Sequence, residues 1–249
     1  MRCPVVFSVL SPSAITGLVS GKPWQRALSY FFLFASIALN MWPEFTSATW
    51  DHAMDLFAER HFVVLDDFLP QEVLTVVCSY FQQVEAEDLL KAASIGPGQE
   101  RTRISEIRSD FVHWLDRFPE GELEVFFKGM DALRGAIARA LFLSLRGYEF
   151  HLAKYPEGAY YKPHFDQFGD RENRMISVVI YLNENWQPEH GGALKMHRPQ
   201  EQVVEPVMNR MVLFRSDTVL HEVLPAIRTR RSLTGWLLKH PASVGVLGL

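Results

Sequence analysis

The chain changes its hydrophobic period once, near Gly147. Before that point apolar residues recur every three or four positions, the spacing of one face of a helix. Residues 50–59 (WDHAMDLFAE) predict a helix with Thr49 as its cap, and 61–68 (HFVVLDDF) a short strand running into Leu69-Pro70. A second helix is predicted over 70–91, opened by Pro70, and a third over 120–146, broken near Gly129 or Gly135. Between them, 96–103 (GPGQERTR) reads as a polar loop. After Gly147, short runs rich in Val, Ile, Tyr and Phe alternate with Gly, Asn, Pro and Asp. They predict strands at 148–155, 174–183, 192–197, 202–206, 210–215, 219–224 and 230–238. Helices followed by closely spaced strands make the class α+β, with a β-sandwich or jelly roll supported by amino-terminal helices.

The amino terminus stands apart. Residues 27–39 (ALSYFFLFASIAL) form an uncharged apolar run behind Lys22 and Arg26. The run falls short of the roughly 17–20 residues a membrane helix needs, and extending it to Trp42 crosses Asn40. No small-x-small cleavage site follows it. The favoured reading places the working chain from Met41 onward; a membrane contact through 27–42 and a packed helix are the alternatives. The expected organisation is an apolar extension, 1–45, and one domain, 46–249.

Composition narrows the class. Of 249 residues, 48% are apolar and 22% charged, a globular balance that excludes disorder and coiled coil. With 25 basic against 29 acidic residues the net charge is −4, which leaves no electrostatic footprint for nucleic acid. Cys3 and Cys78 cannot make a disulfide framework, so a reducing, cytoplasmic setting is expected.

Chemistry concentrates in the strand-rich half. His164-Phe165-Asp166 sets an imidazole and a carboxylate at i and i+2, which share a face if the segment is a strand. With His221 they make two imidazoles and one carboxylate, a set that leaves open positions on Fe(II). Alone, His-x-Asp is weak; a solvated strand gives the same pattern. Arg230 follows nine residues after His221, beside Arg228 and Arg231, and composition does not choose which arginine points inward. Alternation does: Arg230, Ser232, Thr234 and Trp236 share a polar face, opposite Arg231, Leu233, Gly235 and Leu237. Likewise Ser177, Val179 and Tyr181 oppose the apolar set Ile176, Val178, Ile180 and Leu182. An inward Arg230 requires an anionic ligand or a protein acid, since an unpaired buried charge is costly. Tyr181 could bind the same carboxylate or simply be a core aromatic. His52, His61, His113, His151, His190, His197 and His240 lack partners at metal spacing and read as structural or exposed. Gly191-Gly192 reads as a turn, and Cys78 as inert on an apolar helix face.

The ordered set His164-x-Asp166, Tyr181-Leu182-Asn183, Trp186, Gly191-Gly192, His221 with Pro225, Arg230 and Thr234-x-Trp236 resembles the Fe(II)/2-oxoglutarate dioxygenases. Within them it is most similar to the oxygen-sensing prolyl hydroxylases and their bacterial relatives, over roughly residues 55–240. Ile107-Arg108-Ser109-Asp110 with Trp114 resembles the group's substrate entrance, and the loop around 95–106 its substrate-covering loop. The resemblance implies a double-stranded β-helix, with iron on His164, Asp166 and His221. It implies that Arg230 and Tyr181 hold the distal carboxylate of 2-oxoglutarate, with Tyr155 and Thr234 lining that pocket. Arg108, Asp110, Arg174 and Trp236 would lie near a proline-containing protein or peptide substrate. The Tyr155–His164 spacing is one residue shorter than the group's pattern. Ascorbate is an auxiliary cofactor the resemblance brings along. Two other readings remain: the same iron chemistry on a small molecule, and a non-catalytic jelly-roll binding protein.

Overall fold

Two antiparallel sheets and three helices position the site. The computed structural model describes residues 42, 45–93, 107–118, 120–167, 172–197 and 199–241. Helix α1 (Ala48–Arg60) leads into β1 (Phe62–Leu65); α2 (Gln71–Ala86) is followed by β2 (Lys91–Ala92) and β3 (Phe111–Trp114). Helix α3 (Glu124–Ala140) precedes β4 (Gly147–Tyr155), β5 (Tyr161–His164) and β6 (Arg174–Tyr181). The chain closes with β7 (Leu194–Met196), β8 (Gln202–Val204), β9 (Met211–Arg215), β10 (His221–Val223) and β11 (Arg230–Leu238).

The major sheet has seven strands in the order β1-β9-β6-β11-β4-β3-β2, and the minor sheet four, β5-β10-β7-β8. Strand alternation assigns each face of the major sheet a different neighbour. Phe150, Leu152, Ile176, Val178, Ile180, Leu233 and Leu237 point to the helices and join Val73, Val77, Phe81, Phe126, Met130 and Leu133 in one core. Ala153, Tyr155, Val179, Tyr181, Val212 and Phe214 point the other way, toward Tyr161, Leu194, Met196 and Val223 of the minor sheet. The polar residues predicted to share a face of β6 and β11 are therefore those facing the minor sheet. Here two sheets stack with helices behind the larger one, the jelly-roll arrangement expected.

Several boundaries differ from those expected. Helix α1 starts two residues early and is capped by Ser47, whose Oγ accepts from the Trp50 N–H at 3.2 Å, so Thr49 lies inside the helix. Pro70 is the cap of α2 rather than its first residue, and the helix ends at Ala86. Helix α3 spans 124–140 without a break. Gly129 on it is a seat: a Cβ there would overlap the indole of Trp42. Trp42 is buried and meets Phe68 edge-on at 5.9 Å. Packing of the domain therefore includes a residue placed by sequence in the extension. Strands β2, β3 and β5 had no counterpart among the predicted strands, being too short or too polar to show a period. The predicted loop at 96–103 and the apolar run at 27–39 lie outside the described residues. No described helix is long and apolar enough to cross a membrane.

Candidate active site

His164 ends β5, and His221 opens β10 directly opposite it in the antiparallel register. Their rings lie 4.3 Å apart, centroid to centroid. Asp166 is not on the strand, as the i, i+2 argument assumed, but two residues beyond its end. It is brought in by the bend: His164 Nε2 lies 3.5 Å from its Oδ1 and His221 Nε2 3.8 Å from its Oδ2. One donor atom from each of the three falls within 4.8 Å of the others.

The ring orientations follow from hydrogen bonds behind them. His164 Nδ1 meets the Lys162 carbonyl at 2.8 Å, and His221 Nδ1 the Val219 carbonyl at 3.1 Å. A carbonyl only accepts, so each Nδ1 carries the proton and each Nε2 presents a lone pair to the centre. Burial, then the neighbouring His164, push the His221 imidazole down to about 4, which keeps it neutral. Burial alone would raise the Asp166 carboxyl; His221, His164 and a hydrogen bond from Ser177 outweigh it and hold the group well below the usual range. Ser177 Oγ donates to Asp166 Oδ2 at 2.6 Å and lies 2.9 Å from Ser216 Oγ. Two imidazoles turned with Nε2 to the centre and one oriented carboxylate suit a divalent iron with positions left open.

Arg230 is 2% exposed on the same inner face. Its Nε donates to the Gly192 carbonyl at 3.0 Å, and its guanidinium lies over the rings of Tyr155 and Tyr181 at 4.9 and 5.0 Å. No carboxylate of the described residues pairs with it. Alternation separates it from Arg231, which turns to the helix layer and binds Glu85 of α2 at 3.1 Å. The Tyr181 hydroxyl is buried and, Arg230 aside, meets no hydrogen-bonding group among the described residues. Burial raises that hydroxyl, against the opposing charge of Arg230; burial likewise raises Tyr155. A buried cation without an acid, next to a buried hydroxyl with no other partner, fits the distal carboxylate of a dicarboxylic acid.

Two motif residues without an assigned role hold Arg230 in place. Asn183 accepts from the Arg231 N–H at 2.6 Å and donates to its carbonyl at 2.9 Å, clamping the start of β11 to the end of β6. Trp186 Nε1 donates to the Gly191 carbonyl at 3.0 Å. Gly192 beside it has φ +71°, and a Cβ there would meet Ala226 and crowd Trp186 and the Arg230 side chain. Glycine is required to bring its carbonyl to Arg230.

Thr234 continues the inner face, its Oγ1 3.2 Å from Ser232 Oγ. Arg108 and Asp110 engage each other bidentately at 2.7 and 2.6 Å, and Arg108 lies over Tyr161 at 4.4 Å. Burial alone would lower the Arg108 guanidinium, but Asp110 raises it above its ordinary value. Tyr161 in turn stacks on His164 at 3.5 Å. Arg174 pairs with Glu149 at 2.6 Å and covers the Trp236 ring at 3.5 Å. The trio, Tyr155, Tyr181, Arg230 and Thr234 thus lie where the two sheets face each other, and Arg108 and Arg174 join them through Tyr161 and Trp236. His151 also belongs there. Sequence reading set it aside for want of a metal-spaced partner, yet it shares the inner face of β4 with Ala153 and Tyr155.

The chain is similar to proteins of known structure. A crystal structure of a Pseudomonas putida prolyl-4-hydroxylase matches with a TM-score of 0.67 at 38% identity, covering 76% of this chain and 98% of that one. The chain belongs to the 2OG-Fe(II) oxygenase superfamily. The model of that superfamily matches residues 150–238, which run from β4 through β11 and contain the trio and Arg230. The human prolyl hydroxylase EGLN3 is 28% identical over 193 residues, 72% of this chain and 78% of its own. The hypoxia-inducible factor prolyl hydroxylase of Caenorhabditis elegans is 27% identical over 217 residues, 76% of this chain but 28% of its own length. Membership in the 2OG-Fe(II) oxygenases makes the chain an enzyme and brings Fe(II) and 2-oxoglutarate as its cofactors, which the donor set and the acid-free Arg230 accommodate.

Proposed function

We propose that this enzyme hydroxylates a prolyl residue of a protein or peptide, with release of succinate and CO2. The observation that carries the reading is the pairing of the His164–Asp166–His221 trio with Arg230 and Tyr181 on one buried face; a structural metal site has no need of a carboxylate clamp. The prolyl hydroxylases to which the chain is similar support the substrate class.

In this reading His164, Asp166 and His221 hold the iron through two Nε2 atoms and a carboxylate oxygen. Arg230 and Tyr181 take the distal carboxylate of 2-oxoglutarate, and Tyr155 and Thr234 line its pocket. Bound there, iron and 2-oxoglutarate supply O2 activation coupled to oxidative decarboxylation, with ascorbate as an auxiliary reductant. The chain's own part is positional. Lys162 and Val219 carbonyls fix the imidazole protons on Nδ1, Ser177 orients the carboxylate, and the two stacked sheets exclude water. Arg108 and Asp110 brace Tyr161 against His164 at one wall, and Arg174 with Trp236 forms another, where substrate would lie. Two cysteines cannot make a disulfide framework, and the cytoplasm is the proposed setting.

The test is an anaerobic titration with Fe(II) and 2-oxoglutarate, read by the visible charge-transfer band of the chelate. The band is expected for the wild type, absent in His164→Ala and weakened in Arg230→Ala. A folded, iron-loaded protein with no band overturns the catalytic reading. Succinate formation stimulated by proline-containing polypeptides, with one oxygen added to proline, separates this substrate class from a small molecule.

A further inference from the structure

Helix α3 closes on a turn whose tip is apolar and stands in water. The Leu141 N–H meets the Ile137 carbonyl at 3.0 Å and the Leu143 N–H the Ala138 carbonyl at 3.1 Å. Between them lies Phe142, at φ +53°. Helices that end in this way commonly place glycine at that position, because a Cβ is crowded in the left-handed region. For a bulky residue such a backbone is an outlier. Phe142 is also 95% exposed, against 67% for Phe118, the next among the described large apolar side chains. It adds nothing to the core, and it occupies a conformation that glycine fills better.

Cations converge on the same turn. Arg134 reaches it from α3, donating to the Leu145 carbonyl at 2.7 Å, and Arg139 lies in the last turn of the helix. The Arg146 N–H bonds the Leu238 carbonyl at 2.8 Å, which sets Arg146 beside Lys239 at the end of β11. Arg134 has Asp131 at 3.7 Å. Arg139, Arg146 and Lys239 are exposed and form no ion pair among the described residues. Arg139 has an ordinary role at a helix C-terminus, where a cation is favoured; Arg146 and Lys239 lie on other segments and do not. The acid Glu172 adjoins Asn173, whose carbonyl accepts from the Lys239 N–H at 2.9 Å. Unpaired positive charge thus gathers at one end of a chain whose net charge is −4. In the full chain a second apolar segment behind cations, 27–39 after Lys22 and Arg26, ends three residues before Trp42, which seats on Gly129 of the same helix.

We propose that this turn is a contact for an anionic lipid surface: Phe142 enters the headgroup layer, and Arg139, Arg146 and Lys239 lie against lipid phosphates. Burial of an aromatic and attraction of nearby cations to anionic headgroups add together in interfacial binding. A protein partner would need a pocket for Phe142 and acids spaced to match three cations. A lipid surface supplies both anywhere on its area, and the run at 27–39 is of the same apolar, cation-flanked kind. The contact is independent of the substrate assigned above. Phe142→Gly is the decisive variant, since glycine suits the turn and removes only the exposed ring.

The experiment sediments the full chain with vesicles of phosphatidylcholine, with and without phosphatidylglycerol, and without vesicles as the control for aggregation. The wild type is expected to bind the anionic vesicles and to be released at about 1 M salt, where charges are screened beyond roughly 3 Å. Phe142→Gly is expected to bind roughly 10- to 100-fold more weakly, the loss of one buried aromatic. Its Tm should be unchanged or raised. Arg139→Gln combined with Arg146→Gln should weaken binding about 30-fold, near fivefold for each cation. Both variants should bind 2-oxoglutarate as the wild type does. A wild type that stays in solution beside anionic vesicles overturns the proposal. So does binding that neither variant weakens, which would assign the contact to another part of the chain. Equal affinity for soluble polyglutamate would make the turn a site for an acidic protein, and a lowered Tm in Phe142→Gly would show the ring to be packed; either result overturns the lipid assignment.

Discussion

At the scale of single residues, the site is held by hydrogen bonds to groups that do no chemistry themselves. Arg230 is the clearest case, since no carboxylate among the described residues pairs with it. Arg230→Ala should weaken 2-oxoglutarate binding roughly 30- to 4,000-fold, the range for removing one partner of a buried hydrogen-bonded charge pair. Titrating the anaerobic Fe(II) protein with 2-oxoglutarate checks this, and metal affinity should be unchanged. Ser177 makes the converse case: it donates to Asp166 at 2.6 Å and is itself fully buried. Ser177→Ala should lower metal affinity about 10- to 100-fold, as loss of an orienting partner does, and leave the Arg230 clamp intact. Competition with a metallochromic chelator would measure it. An unchanged affinity would mean that Ser216 and the bend alone orient the carboxylate.

The secondary elements were legible in proportion to the strength of their period. Helices α2 and α3 bury Val73, Leu74, Val77 and Phe81, and Phe126, Met130, Leu133 and Ile137, at the spacing the sequence displays. Strands β6 and β11 show alternation over eight and nine residues, which was enough to separate Arg230 from Arg231; Arg228 falls before β11 begins. Strand β5 has four residues, two of them exposed, and no pattern could separate it from a loop. Gly129 was misread for a local reason: glycine usually weakens a helix, and nothing nearby in sequence reveals the indole that occupies its missing side chain. Trp42→Ala should therefore destabilise the protein by about 3–5 kcal/mol, the usual effect of removing a buried aromatic. Gly129→Ala should also destabilise it, despite alanine's better helix propensity, because overpacking costs about 1–3 kcal/mol against roughly 1 gained. Urea midpoints of the two variants decide the matter. A chain started at residue 46 should lose more stability than Trp42→Ala, since it also removes Phe45, whose ring meets Trp50 at 4.8 Å.

For the molecule as a whole, the active site exists only where the two sheets stack. His164 and His221 come from the minor sheet, and Ser177, Tyr181 and Arg230 from the major one. Metal with 2-oxoglutarate should thus bind the folded state alone. At about 100 times Kd the stabilisation is about 2.7 kcal/mol, seen as a raised Tm with Mn(II) and 2-oxoglutarate and reversed by a chelator. Acid should act in the opposite direction. His151 is pushed from 6.5 to about 3 by burial, so below pH 6.5 the unfolded chain binds a proton the native one refuses. Stability of the metal-free protein is full above pH 6.5 and declines as pH falls toward 3, with His221 adding to the slope down to about 4. His151→Met should flatten that decline, measured as urea midpoints between pH 7 and 4.5. An unchanged slope would show that His151 opens to water before the protein unfolds.

The sequence by itself determined the class and the inward face of each long strand, and it offered His164, Asp166, His221 and Arg230 as candidates that a family resemblance singled out. These are properties of period and order along one chain, and short-range sterics carry them. Tertiary structure alone decided that Asp166 reaches the trio from beyond a strand end and that Asn183 and Gly192 seat Arg230. It also decided that Trp42 fills the place of a side chain at Gly129, and that His151 shares the inner face of β4. Each of those depends on contacts between residues far apart in sequence, up to the 87 positions between Trp42 and Gly129, set by sheet pairing and packing, and no local pattern encodes which distant surface will be there.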